Sequence, residues 1–436
     1  MRKMVKALTI ILTIIILGSI FILQSASLDA HHRTIVVPED YSTIQDAVDS
    51  ANEGDTIYVK RGVYESLKNQ TLIINKSVSI MGENSKNTIL KLHPLYSEIY
   101  ILGQSIGWGW SNAVEVYADN FLLSGLTIIS DGGAVWINGN NAQIVGNTIE
   151  SDVTFSGDNQ TFAYNFLKGR VSCSGDYFNA YLNDVLDGQI SVNSGFYSRI
   201  FSNNIVGGNL GITGSSNNGF VYNNTINGVS KVETGISVAH IGGTITNNTI
   251  TDCANGIAIY WGGNNTIYGN IILNCEIGFY KTEAHGGNVF YANNVENNFF
   301  GVKIAYRTES SETLLYHNNF INNSCQVNNE TTETTGGSYG VPQRTRPLYH
   351  SGVFDNGFEG NYWSDYTGSD TNGDGIGDTP YLIGFNRSDN YPLMKPYDIN
   401  KVLVQESFPI VPIAVCVALI VAVGLIVYLK KRHKPI

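Results

Sequence analysis

Between Asn147 and Asn319 apolar residues recur two apart in short runs such as GISVAH and GIAIYW, and no helical period runs through them. Aligned on the triplet Asn-x-apolar, these runs form a ladder with rungs at Asn147, Asn165, Asn183, Asn204, Asn224, Asn248, Asn270, Asn294 and Asn319. A second ladder, of glycines, runs through Gly188, Gly211, Gly235, Gly256, Gly278 and Gly301. Two ladders with a common period near 22 residues predict an all-β solenoid. Each coil of such a fold stacks about 4.8 Å from the next, so identical residues form columns. Charged columns would repel, whereas Asn side chains can hydrogen-bond along the stack. The Asn ladder is therefore read as structural. The glycines fit corners between short strands, where φ is positive.

A solenoid needs caps, because its end coils would otherwise expose their core. SerThrIleGln at 42–45 has capping-box spacing, and Ile44, Ala47, Val48 and Ala51 share one helical face, which predicts a short capping helix over 43–51. TIYVKRGVYES and SVSIMGE should follow as the first strands. Two stretches break the repeat: 93–112, with Tyr96, Tyr100, Trp108 and Trp110, and 330–352, with Arg344, Arg346 and His350. Insertions on a rigid scaffold are where function tends to sit.

The two ends have a different character. Arg2, Lys3 and Lys6 precede an apolar run from Ala7 to Leu23 and a small-residue exit, the pattern of a signal peptide over 1–30. The segment 409–429 lacks charge and is long enough for a bilayer core, and the tail 430–436 carries Lys430, Lys431, Arg432 and Lys434. Together with a linker over 401–408, this places residues 31–400 outside the cell as a membrane-anchored ectodomain. Composition narrows the partners. The net charge is −11 and only 14% of residues are charged, with 48 Asn and 46 Gly, so no basic stripe exists for nucleic acid. Five Cys are too few for a disulfide scaffold.

IVVPEDYSTIQDAVDSANEGDTIYVKRGVYE resembles the opening of right-handed parallel β-helix proteins. The Asn-x-Ile coils and the ending GNYWSDYTGSDTNGDGIGDTPYLI…DNYPLMKP resemble the periplasmic copper-binding NosD family and its archaeal surface relatives, over about 35–396. The resemblance implies a β-helix with a C-terminal cap over 361–396, and a role beside copper delivery or a transporter. The copper role fits poorly, since it needs His, Met or Cys clusters. Beyond the leader and before the membrane segment the Met residues are Met81 and Met394, and the His residues are scattered. The opening is also similar to pectin methylesterases and the coils to polygalacturonases, but the sequence motifs of neither active site are present.

Four groups could carry chemistry. Asp370, Asn372, Asp374, Ile376 and Asp378 stand at positions 1, 3, 5, 7 and 9 of a calcium-type loop, with Gly375 at position 6. Position 12 is Tyr381, so Asp365 or Asp389 would have to complete a structural Ca²⁺ shell. Five residues past four of the ladder glycines stand His240, Trp261, Glu283 and Tyr306, predicted to form one outward column. Tyr260, Tyr280, Lys281, His285, Lys303 and Arg307 would lie beside it, a set suited to stacking and hydrogen-bonding sugars. Glu283 and His285 are candidates for acid/base work. Asp158 and Asp176, one coil apart, could approach as a glycosidase pair, or be turn residues facing water. Cys253 and Cys275 could form a disulfide or a thiol column. Nine Asn-x-Ser/Thr sequons occur.

The chain is thus read as a membrane-anchored extracellular β-helix that binds polysaccharide or envelope glycan without catalysis. A carbohydrate-active lyase, hydrolase or epimerase is one alternative, and a NosD-like accessory to metal delivery or transport is another.

Overall fold

The computed structural model describes residues 32–101, 104–212, 218–239, 241–282, 285–305, 312–328, 332–335, 344–347, 352–384 and 387–405. The expected leader (1–30) and membrane helix (409–429) lie outside these residues. Among the described residues no helix is long and apolar enough to cross a membrane.

The chain winds into a right-handed parallel β-solenoid of about 12 turns. Each coil lays down three short strands on three faces. Face one is a 14-stranded sheet running from Thr34–Val37 to Gly352–Val353, and faces two and three join into one 23-stranded sheet. The pairing is parallel and in register, as in Gln143↔Thr161, Thr148↔Phe166 and Val153↔Val171. The alternation explains this. Ile144, Ile149, Val153 and Phe155 point inward and are 0% exposed, as are their counterparts coil after coil, so a single core runs the length of the molecule.

The Asn ladder is internal, and its true rungs are Asn147, Asn165, Asn183, Asn203, Asn224, Asn248, Asn270, Asn293, Asn318 and Asn361. At each rung up to Asn318 the backbone N–H donates to the Oδ1 of the next rung, and the side-chain Nδ2 donates to that Oδ1 and to a carbonyl below. Three expected rungs, Asn204, Asn294 and Asn319, are one residue late. The residue before each rung from Asn147 to Asn318 is left-handed, with φ between 52° and 71°. That position also favours Asn, so in an Asn-Asn pair the rung can be either member. The glycine column needs the same repair. Gly235, Gly256, Gly278 and Gly301 align. Gly211 instead pairs with Ser191 and Ser237, and Gly188 sits beside Gly208.

Both ends are capped. Helix α1 (Ile44–Ser50) buries Ile44, Ala47 and Val48 over the first coil, as predicted. Its N-cap is Thr43 rather than Ser42: Thr43 Oγ1 accepts from Asp46 N at 3.1 Å and donates to Asp46 Oδ2 at 2.6 Å. Gln45 is thereby free to act as a surrogate strand, its amide accepting from Ile73 N and donating to Ile73 O. The strands also start earlier than expected, with Thr34–Val37 ahead of the helix. At the other end Phe320, Trp363 and Tyr381 stack with centroids 4.5 and 4.4 Å apart. The ladder stops at Asp389, which is 0% exposed and whose Oδ2 accepts from Asn361 N at 2.7 Å and Trp363 Nε1 at 2.8 Å.

Candidate functional site

On face three the middle residue of each strand faces outward between two core residues. Register links these residues into one file: Glu115, Trp136, Thr154, Ser172, Ser191, Gly211, Ser237, Ala258, Tyr280 and Lys303. Its floor, from Thr154 to Ala258, holds only small side chains. Ser191 and Ala258 point outward yet are 7% and 0% exposed, so larger neighbouring side chains cover these parts of the file.

Aromatic groups close both ends. At the C-terminal end Tyr260 and Tyr280 meet edge to face at 6.1 Å, and Tyr260 Oη lies 3.1 Å from Thr234 Oγ1. Trp261 beside them is 60% exposed. Lys303 sits 5.9 Å from the Phe300 ring. At the N-terminal end Trp136 meets Tyr117 edge to face at 5.6 Å. The two inserted stretches border the same face. Hairpin Tyr96–Ile101/Gln104–Trp110 ends just before Val114–Val116, and hairpin Thr332–Thr335/Arg344–Pro347 follows Cys325–Val327.

Face one carries a different aromatic array. Tyr181, Phe201 and Tyr222 stack within 10° of parallel at 4.8–4.9 Å, and Tyr268, Tyr291 and Tyr316 continue after a break at Thr246. Rings stacked on one another spend their faces internally and offer solvent mainly edges, so this column stiffens the sheet.

The sequence-predicted residues divide accordingly. Tyr260, Trp261 and Tyr280 come together, with His285 exposed nearby on the next coil. His240, Glu283, Tyr306 and Arg307 lie outside the described residues. Lys281 is a correction. It alternates with outward Tyr280, stacks between Ile259 and Ile304, and is 0% exposed, with Nζ donating to Thr313 Oγ1 at 2.6 Å. Burial pulls its pKa down to about 7. Asp158 and Asp176 lie on a turn column, where Asp158 Oδ1 accepts from Asp176 N and Asp176 Oδ1 from Phe196 N. They are turn aspartates, each carboxylate holding the next coil. Cys253 and Cys275 are free, buried thiols on adjacent coils, and the contact with Cys275 holds the Cys253 thiol pKa up.

In the 370–378 loop Asp370 accepts from Gly373 N and Gly375 N, Asn372 from Asp374 N, and Asp374 from Ile376 N. Asp378 accepts from Thr371 N, which lowers its pKa. The two proposed extra ligands have other partners. Asp389 ends the Asn ladder, and Asp365 accepts from Tyr381 Oη and Gln326 Nε2.

Comparison with known proteins adds a family. The model of the periplasmic copper-binding protein (NosD) family matches residues 189–368, the coils that carry the C-terminal half of the file. Residues 189–368 of this parallel β-solenoid are thus similar to the NosD family. No curated protein matches the chain. Among solved structures, a mannuronan C-5 epimerase module from Azotobacter vinelandii is 16% identical, covering 66% of this chain and 91% of that one, with a TM-score of 0.43. An alginate lyase is 15% identical over 70% and 90%, with a TM-score of 0.44. At this level of likeness no activity transfers.

The soft donors that copper would need stand apart among the described residues. Met81 lies on strand Ser79–Gly82 near the first coil and Met394 in the C-terminal cap. His93 is held between Asp131 and Glu65, and His317 stacks on Tyr397 at 4.2 Å. Among the described residues no three His, Cys, Asp or Glu side chains gather as a metal site.

The file on face three escaped the sequence reading because its floor is chemically plain. Its signal is nevertheless there: Val-Glu-Val, Val-Trp-Ile, Val-Thr-Phe, Val-Ser-Cys, Ile-Ser-Val, Leu-Gly-Ile, Ile-Ser-Val and Ile-Ala-Ile in coil order, whose central residues are the file.

Proposed function

We propose that this protein is a surface-displayed, membrane-anchored β-helix that binds polysaccharide along face three without turning it over. The observation that carries the proposal is the outward file: small residues Thr154, Ser172, Ser191, Gly211, Ser237 and Ala258 in register, with aromatic clusters at both ends. Sugars bind through apolar ring faces on aromatics and through hydroxyl hydrogen bonds, and a straight file of small side chains suits an extended chain. The file's own carboxylate, Glu115, accepts from Tyr117 Oη at 2.7 Å and Asn112 Nδ2 at 3.0 Å, an arrangement for holding rather than for proton transfer. The NosD family match fits a domain outside the cytoplasm.

Calcium belongs to the same proposal as a structural ion of the 370–378 loop. There the carboxylates of Asp370 and Asp374 keep lone pairs beyond the N–H groups they accept from.

The test is a polysaccharide array probed with the full-length protein in mild detergent, with released product assayed in parallel. Binding without product supports the proposal, and product moves the protein to the enzyme class. Loss of binding in Trp261→Ala locates the interaction.

A further inference from the structure

Resting on that reading, we infer that the Trp136 cluster is a second sugar subsite, so that the ligand is a linear, uncharged polysaccharide spanning both ends of face three. Val135 and Ile137 are 0% exposed core residues, so Trp136 between them projects outward, half-buried, in the same file as Tyr280. Its indole N–H donates to Ser156 Oγ at 3.1 Å, which fixes the ring's orientation. Tyr117 meets it at 85°, so this contact covers at most one face of the indole.

Beside the ring, Glu115 is the neighbouring member of the file. Tyr117 Oη binds Oε2 and Asn112 Nδ2 binds Oε1, so the carboxylate is held in place with lone pairs left to accept from hydroxyls. An indole face next to a fixed carboxylate is sugar-binding chemistry, built before any ligand arrives. The same carboxylate, on a chain of net charge −11, repels a polyuronate.

Distance follows from register. Trp136 to Tyr280 is seven coil steps (154, 172, 191, 211, 237, 258, 280), about 34 Å at the strand spacing. A short oligomer reaches one cluster, and a polymer reaches both. Joining two weak sites on one ligand raises affinity by roughly 10²–10⁴.

The experiment uses the full-length protein in mild detergent on an array of β-1,4-mannan, glucomannan, laminarin, alginate and polygalacturonate. Wild type is compared with Trp136→Ala, Glu115→Gln and Trp261→Ala, each checked for an unchanged melting temperature. The expected result is binding of a neutral polymer, weakened about 100-fold or more by Trp136→Ala. Binding of that polymer's disaccharide at the Trp261 end is unchanged in this variant. Glu115→Gln, which keeps the side chain's size, weakens the polymer in the same direction. If Trp261→Ala loses the polymer while Trp136→Ala and Glu115→Gln bind like wild type, the second subsite is overturned and the binding reading stands. Preference for alginate or polygalacturonate overturns the uncharged ligand. Silence of the wild type on every polymer sinks the binding reading itself.

Discussion

Asn203 and Asn204 are neighbours of identical chemistry, and the structure assigns them opposite weights. Asn203 is 2% exposed. Its Oδ1 accepts from Asn183 N at 3.1 Å and Asn183 Nδ2 at 2.8 Å. Its Nδ2 donates to Ala180 O at 2.9 Å and to Asn224 Oδ1 at 3.0 Å. In Asn203→Ala the buried Asn183 N–H loses the acceptor it has here, which costs about 1–3 kcal/mol. The other side-chain bonds add roughly 1 kcal/mol each. The expected loss is therefore about 4–6 kcal/mol, a large share of ordinary domain stability. Asn204 is exposed, and its side chain donates to Asp184 Oδ1 at 3.1 Å. Asn204→Ala should cost less than about 1 kcal/mol. Urea unfolding of the two variants, followed by circular dichroism and by hydrogen exchange at coils 180–224, measures the difference. Equal costs, or a larger cost at Asn204, would refute the register and with it the alignment of every outward column.

Three further outcomes follow from the C-terminal cap, the glycine column and the acidic loop. Burial raises the Asp389 carboxyl pKa from 3.8 to about 6, so its protonated form is favoured in the fold. That stability, about 3 kcal/mol, is present below pH 4 and lost as pH rises through 6. Melts of wild type should decline over pH 4–7, and Asp389→Asn should flatten the slope. The variant should also cost about 1–3 kcal/mol at pH 5, because its NH₂ would face an N–H donor from Asn361 and Trp363 or from Tyr391. A steeper slope in the variant contradicts this. Gly256→Ala would place a Cβ 2.3 Å from Ile272 Cγ2 and 2.6 Å from Gly278 O, and should lower stability by roughly 1–3 kcal/mol in urea. An unchanged midpoint would show that the glycine column has room. Millimolar Ca²⁺ should raise the melting temperature of wild type and leave that of Asp370→Asn unmoved, and equal responses would remove calcium from the loop.

The repeat, the internal Asn ladder and the capping helix were legible because each is a one-dimensional signal: a period, an amide column and an apolar helical face. Register was legible only to within one residue. Asn is favoured both at the left-handed corner and at the rung behind it, so Asn203-Asn204, Asn293-Asn294 and Asn318-Asn319 could not be split by residue type. Lys281 was misplaced for a related reason. Counting five residues from a glycine ignores the alternation that turns Tyr280 out and Lys281 in, and a lysine in a core column defies the usual cost of burying charge. Asp389 was offered to calcium because an acid beside an Asp-rich loop looks like a ligand. Its role as the last acceptor of a ladder emerges only once the rungs are in space. The Trp136 cluster stayed hidden because Glu115, Tyr117 and Trp136 sit on two different coils.

The most direct test of the account is hydroxyl-radical footprinting of the full-length protein with and without a bound neutral polysaccharide, read alongside an assay for released product. The account predicts protection of Trp136, Trp261 and Tyr280 on face three, unchanged reactivity of Tyr222 and Tyr291 on face one, and no product. Protection on face one with face three unaffected, or product released from the polymer, would contradict it.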